Sequence, residues 1–189
     1  AATMYKSGDY KPYLLRTKDF GQTWQSITTG IDEHHFTRVI RSDPKAKGML
    51  YAGTESGMYI SFDDGDHWQP FQMNLPIVPI TDLVVKNDNL IAATQGRSFW
   101  IVDELAQLRQ MRDAKTDRFQ FYQPADTYRM TGASYKSQEA GTNYQGGLMA
   151  FYYLPAELKK EDTLSITVSE QDGDTIVKYS TNNKEKSYQ

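Results

Sequence analysis

The chain has 189 residues, enough for one large or two small domains, and 39% of them are hydrophobic and 24% charged, which excludes wholesale disorder. A net charge of −3 with no long basic run argues against nucleic acid or an anionic membrane as the main partner. There are no cysteines, so disulfides and Cys-ligated metals are excluded. No apolar run reaches the ~18–20 residues of a membrane span.

Residues 1–6 read as a strand and 7–12 as a loop. A strand at 13–16 enters the octet Thr17-Lys18-Asp19-Phe20-Gly21-Gln22-Thr23-Trp24, and a strand at 24–27 leaves it. Residues 28–35 form a connecting loop. Strands are expected at 36–41, 50–54 and 58–61, with a Pro/Gly turn at 42–48. A second octet follows, Ser61-Phe62-Asp63-Asp64-Gly65-Asp66-His67-Trp68, then a strand at 68–72. A third set covers 80–85, read as a buried inner strand, 90–94 and 98–102. No third octet follows. The three-residue spacing of Leu105, Leu108 and Met111 predicts a helix over 103–112, with Asp103 as cap. A short strand is expected at 118–122, a long polar loop at 124–147, and further strands at 147–154, 163–168 and 175–179. The tail from 180 is polar.

The two octets share one frame, and their Asp and Trp residues each lie 44 residues apart. A fixed period of about 40–45 residues suits a four-stranded propeller blade. In each octet Gly21 or Gly65 supplies a positive φ, and Asp19 or Asp63 accepts backbone N–H groups of its own turn. Thr17 or Ser61 adds a hydroxyl, and Thr23 stands where the second copy has His67. Trp24 and Trp68 are both expected to bury their rings between neighbouring blades. A calcium loop is the rival reading for Asp63, Asp64 and Asp66, but the further oxygen ligands and the closing Glu are missing. No metal site and no cofactor are therefore assigned.

The octets resemble the Asp-box of BNR-repeat propellers. Residues 6–13, 50–57 and 93–101 strengthen the likeness to large bacterial BNR/Asp-box proteins of glycosyl hydrolase type, similar to the propellers of sialidases and sortilin. Gln95 departs from the His expected in the last of these stretches. The resemblance implies an all-β chain, with the last blades of a propeller at 1–122, a linker at 123–146 and the start of an immunoglobulin-like sandwich at 147–189. It implies a fragment of a secreted protein, extracellular or periplasmic, whose signal peptide would lie upstream. The remaining blades of the parent would be partners, and open sheet edges invite self-association.

On this reading the octets shape hairpins at one end of the strands, and ligands are met at the other end. That end would carry the carboxylates Asp9, Asp32, Glu33 and Glu55, each of which is otherwise a solvated loop acid. Tyr10, His34, His35 and Arg97 are candidate ligand contacts, with a glycan or a peptide as partner. Glycoside hydrolysis needs two carboxyl groups about 5–9.5 Å apart, and the spacing here nominates no pair. Three readings stand: a scaffold or carbohydrate-binding piece that is inactive alone, a glycosidase completed by other blades, and a sortilin-like peptide binder. No nucleophile elbow, phosphate loop or zinc-protease helix is present.

Overall fold

A computed structural model describes residues 1–112, 114, 117–127, 148–156 and 162–180. Over the described residues the chain is all-β, built from small antiparallel sheets with one short α-helix. It divides into two compact units, one within 1–114 and 122–151, the other within 115–121 and 152–189.

The first unit holds three successive sheet layers. In the first, β1 (Ala2–Met4) pairs with β2 (Asp9–Tyr13), and β3 (Leu15–Arg16) pairs with β4 (Gln25–Ser26). The second is a four-stranded meander of β5 (Thr37–Ser42), β6 (Leu50–Thr54), β7 (Gly57–Ser61) and β8 (Gln69–Pro70). The third contains β9 (Ile80–Lys86), β10 (Asn89–Thr94) and β11 (Phe99–Val102), and α1 (Leu105–Met111) follows it. Short connections between consecutive strands force the antiparallel pairing throughout.

Several expectations need correction. Residues 9–13 are strand β2 rather than loop, since only Tyr5–Ser7 turns, closed by Gly8 at φ +79. The inner strand β9 is only half-buried: Ile80 and Leu83 are covered, whereas Val84 faces outward. Asp103 does not cap α1. Glu104 precedes the helix at φ +53, and the Leu105 N–H donates to Asp88 O at 2.7 Å.

Two apolar clusters bind the layers. Leu14, Ile27 and Ile31 of the first layer meet Ala52, Tyr59 and Trp68 of the second. Tyr51, Met58 and Ile60 of the second meet Ile80, Leu83, Leu90 and Leu105 beyond it. The first joint centres on Trp68, which is 5% exposed. Its backbone N–H donates to Thr29 O at 2.8 Å, and its indole Nε1–H donates to Ile27 O at 2.7 Å. Gly30, at φ +95, lets the Trp68 carbonyl approach so closely that a Cβ would sit 2.1 Å from that oxygen.

Trp24 contradicts the expectation for both tryptophans. It is 60% exposed, and its Nε1–H folds back onto Gly21 O of its own turn at 3.1 Å.

An ionic clamp ties α1 to the sheets. Asp43, whose side chain is fully buried, accepts Arg109 Nε at 3.0 and 3.1 Å, the Tyr51 hydroxyl at 2.9 Å, and the backbone N–H groups of Lys45 and Ala46. Arg109 Nη1 also donates to Asp88 at 2.7 Å, and Lys45 holds the other Asp88 oxygen. Burial works to raise the Asp43 carboxyl, but Arg109, the Lys45 N–H and Tyr51 outweigh it and keep it below the usual range. Burial and the neighbouring Asp43 push the Tyr51 hydroxyl up.

In the second unit β14 (Ser165–Ser169) and β15 (Thr175–Ser180) form a hairpin through Gly173 at φ +101. Elsewhere β12 (Gln120–Tyr122) pairs with β13 (Phe151–Tyr153), so a strand is present at each of the three places expected after the linker. Most of the anticipated linker, 128–147, lies outside the described residues.

Three substitutions test these contacts. Trp68→Ala removes a buried ring and should cost about 3–5 kcal/mol in urea unfolding, while Trp24→Ala should stay within about 1 kcal/mol. Arg109→Ala leaves Asp43 buried without its cation and should cost about 3–5 kcal/mol.

Candidate functional site

The octets form matching turns. Asp19 Oδ1 accepts the Thr23 N–H and the Thr17 hydroxyl, both at 2.8 Å, and Oδ2 accepts the Thr23 hydroxyl at 2.5 Å. The Gly21 N–H donates to Thr17 Oγ1 at 2.8 Å. In the second copy Asp63 Oδ1 accepts the His67 N–H and the Ser61 hydroxyl at 2.8 Å, and the Gly65 N–H meets Ser61 Oγ at 2.9 Å. The His67 ring takes the place of the Thr23 hydroxyl, with Nδ1 2.7 Å from Asp63 Oδ2. The central residues match as well, with Phe20 and Asp64 at φ +57 and +62, and Gly21 and Gly65 at +92 and +91. Positive φ at both central positions is the type I′ pattern, whose twist suits a hairpin.

These carboxylates are spent on their own turns. The Thr23 hydroxyl, the Thr23 N–H and Thr17 hold Asp19 at about 2. Burial pulls Asp63 upward, but the His67 N–H and ring and the Ser61 hydroxyl override it and leave it low. Among the described residues no group of three or more His, Asp or Glu is disposed to hold a metal ion. Arg16 fastens the two turns together. It donates to Asp64 O at 2.6 Å, to Asp66 at 2.7 Å and to Gln25 at 3.1 Å. Sequence reasoning missed this residue, because position 60, its counterpart in the second copy, is Ile and the repeat gave no signal.

The other ends of the strands carry a denser mixture of chemistry. Phe36, at the start of β5, is buried and forms the floor. Tyr5 stacks on it with ring centres 4.9 Å apart and planes 13° apart, and Tyr10 leans over it at 6.2 Å. The Arg38 guanidinium lies 5.2 Å from the Phe36 ring centre and is held by Glu55 at 2.5 Å. A cation over an aromatic face is a favourable placement. The Glu55 N–H donates to Phe36 O, which fixes the β6–β7 turn over the floor. At the edge Asp9 accepts the Tyr13 hydroxyl at 2.5 Å and the Lys11 N–H at 3.0 Å. The Tyr13 N–H in turn donates to Thr37 Oγ1.

The structure thus gathers Tyr10 and Glu55 around Phe36 and Arg38, with Asp9 on Tyr13 and Lys11. Asp32, His34 and His35 collect around Tyr59. His35 Nδ1 is 2.8 Å from the Tyr59 hydroxyl, and Asp32 accepts the His34 N–H at 2.8 Å. Burial raises the Tyr59 hydroxyl. Glu33 is an exposed loop acid. Arg97 sits on the exposed β10–β11 turn, where its N–H donates to Thr94 Oγ1 and its carbonyl accepts the Trp100 indole. Phe36, Arg38 and Tyr59 were not foreseen, since an aromatic residue at a strand start ordinarily reads as core.

Asp9 and Asp32 both shift downward. Asp9 does so through the Tyr13 hydroxyl and the Lys11 N–H, and Asp32 through the His34 N–H. A glycosidase general acid needs the opposite shift, so that its carboxyl keeps a proton near neutrality. No helix among the described residues is long and apolar enough to cross a membrane. No protein family, curated protein or solved structure matches the chain.

The depressed carboxylates set a pH window. Asp19 ionises at about 2 in the folded hairpin and near the ordinary carboxylate value when unfolded. Its contribution is therefore complete above roughly pH 4 and is lost as pH falls through about 2. The protection factor of the Thr23 amide, its exchange relative to the unstructured rate at the same pH, should fall across that interval, and Asp19→Asn should flatten the dependence.

Proposed function

We propose that this chain is a non-catalytic, ligand-binding part of an Asp-box β-propeller protein of the secreted glycosyl hydrolase type. Its sheet layers act as successive blades, and its ligand is a carbohydrate. The matched hydrogen bonds of the two octets support the blade reading, since they are the contacts the resemblance calls for at those positions. In this reading Trp24 is where a further blade of the parent packs, as Trp68 packs on the layer before it. The extracellular or periplasmic setting comes with the resemblance.

The observation that carries the binding role is the Tyr5–Phe36–Tyr10 aromatic group beside the Arg38–Glu55 pair. Sugar rings present an apolar C–H face to an aromatic ring and hydroxyls to a charged pair. Both features occur together here, on the end that the octets leave free. A surface built this way orients a glycan without needing a proton donor.

Titration with a panel of neutral and acidic oligosaccharides, followed by calorimetry, tests this. We expect saturable binding that Tyr10→Ala weakens about fivefold or more, and Arg38→Ala likewise. We expect no release of reducing sugar from any panel member. Hydrolysis abolished by Glu55→Gln or Asp9→Asn would overturn the non-catalytic reading, and failure of every sugar to bind would overturn the ligand class.

A further inference from the structure

The joint between the second and third layers contains a cavity of about 180 Å³, lined chiefly by apolar side chains. Its walls are the walls of the Trp68 socket repeated one layer on. The Ile27 N–H donates to Leu14 O at the first joint, and the Phe71 N–H donates to Met58 O at the second, both at 2.9 Å. The turn closed by the Ile31 N–H on Thr28 O recurs as the turn closed by the Leu75 N–H on Gln72 O. Across the joint, Ala52 pairs with Tyr59 in one ladder and Ala92 with Trp100 in the next.

Leu14, Ile27, Ile31, Ala52 and Tyr59 enclose the Trp68 indole. Met58, Phe71, Leu75, Ala92 and Trp100, their counterparts, enclose the cavity. What differs is the plug. After β7 the chain makes an octet hairpin and returns Trp68 to the socket. After β11 it makes α1, and none of the described residues brings an indole back.

From this correspondence we infer that the cavity is a binding site for a small free indole compound. The site reproduces a pocket that this same fold fills with an indole, and it is large enough. An apolar cavity of about 150 Å³ accepts benzene. Its mouth is accessible, since Met73 and Ile101 at the rim are 70% and 56% exposed. By the same correspondence the Phe71 carbonyl is the counterpart of the Ile27 carbonyl, which accepts the Trp68 N–H, and is the acceptor assigned to an indole N–H. The inference rests on the internal repetition of contacts and is independent of the sugar-binding reading.

The test is indole itself, titrated into the whole chain carrying ¹³C-methyl methionine. The Met58 and Met73 methyl signals should shift saturably, with half-saturation at about 1 mM or below, while Met4 and Met111 stay in place. Ala92→Leu fills the cavity and should weaken binding at least tenfold. Absence of saturable movement at Met58 and Met73 overturns the site, as does movement centred on Met4 or Met111. A folded Ala92→Leu protein that binds indole as before overturns it too. Should that variant not fold, the methyl map of the unmodified chain decides.

Discussion

The first unit depends on one indole. Trp68 is the point where two sheets that share no ladder are made to behave as one body. Its ring excludes water from the first apolar cluster, and its two N–H groups land on carbonyls of the preceding connection. Each buried N–H must find an acceptor, so the geometry of the joint is fixed by hydrogen bonding as well as by volume. Gly30 is the other half of that constraint, because any side chain there would collide with the Trp68 carbonyl. The octet turn delivers Trp68 to this place, which explains why its polar atoms are so fully committed.

The second joint meets the same need by other means. There the closing hairpin is absent, and α1 is drawn in by Leu105 and anchored by Arg109 on Asp43 and Asp88. A buried ion pair is an expensive fastener, because both ions lose their hydration. Asp43 offsets that loss by accepting two backbone N–H groups and a tyrosine hydroxyl besides the guanidinium. A chain that gives up its aromatic plug at this joint thus keeps its layers together with directional polar contacts, and leaves the volume of the plug unfilled.

What was legible in the sequence was local. The octet contacts are local, so spacing alone indicated that Asp19 and Asp63 accept N–H groups of their own turns and that His67 is a turn substitute for Thr23. Strand and helix positions in the first 112 residues were likewise readable from alternation and three-residue spacing. Gly8 and Pro12 misled, because both signal turns, yet only the turn around Gly8 is real and Pro12 sits within β2. The fate of the two tryptophans was invisible for a different reason. Identical motifs receive different neighbours, and burial is a property of the neighbour. The same holds for Asp43 and Arg109, which lie 66 residues apart and carry no pattern linking them.

The candidate site was half legible for the same reason. Counting strands placed Tyr10 and Glu55 at the end away from the octets, where the structure has them, since turns alternate between the two ends of a meander. Phe36 and Arg38, which give that end its character, were not found, because one is buried and the other lies on a strand. Yet the assignment of ends has a physical basis stronger than counting. An octet carboxylate that already accepts three short hydrogen bonds has little left to offer a ligand, and its proton affinity is lowered by those same bonds. The opposite end keeps exposed rings and a guanidinium whose carboxylate partner is itself part-exposed. Recognition needs groups that water still reaches in the free protein, and this unit leaves aromatic and charged groups together in that condition around Phe36.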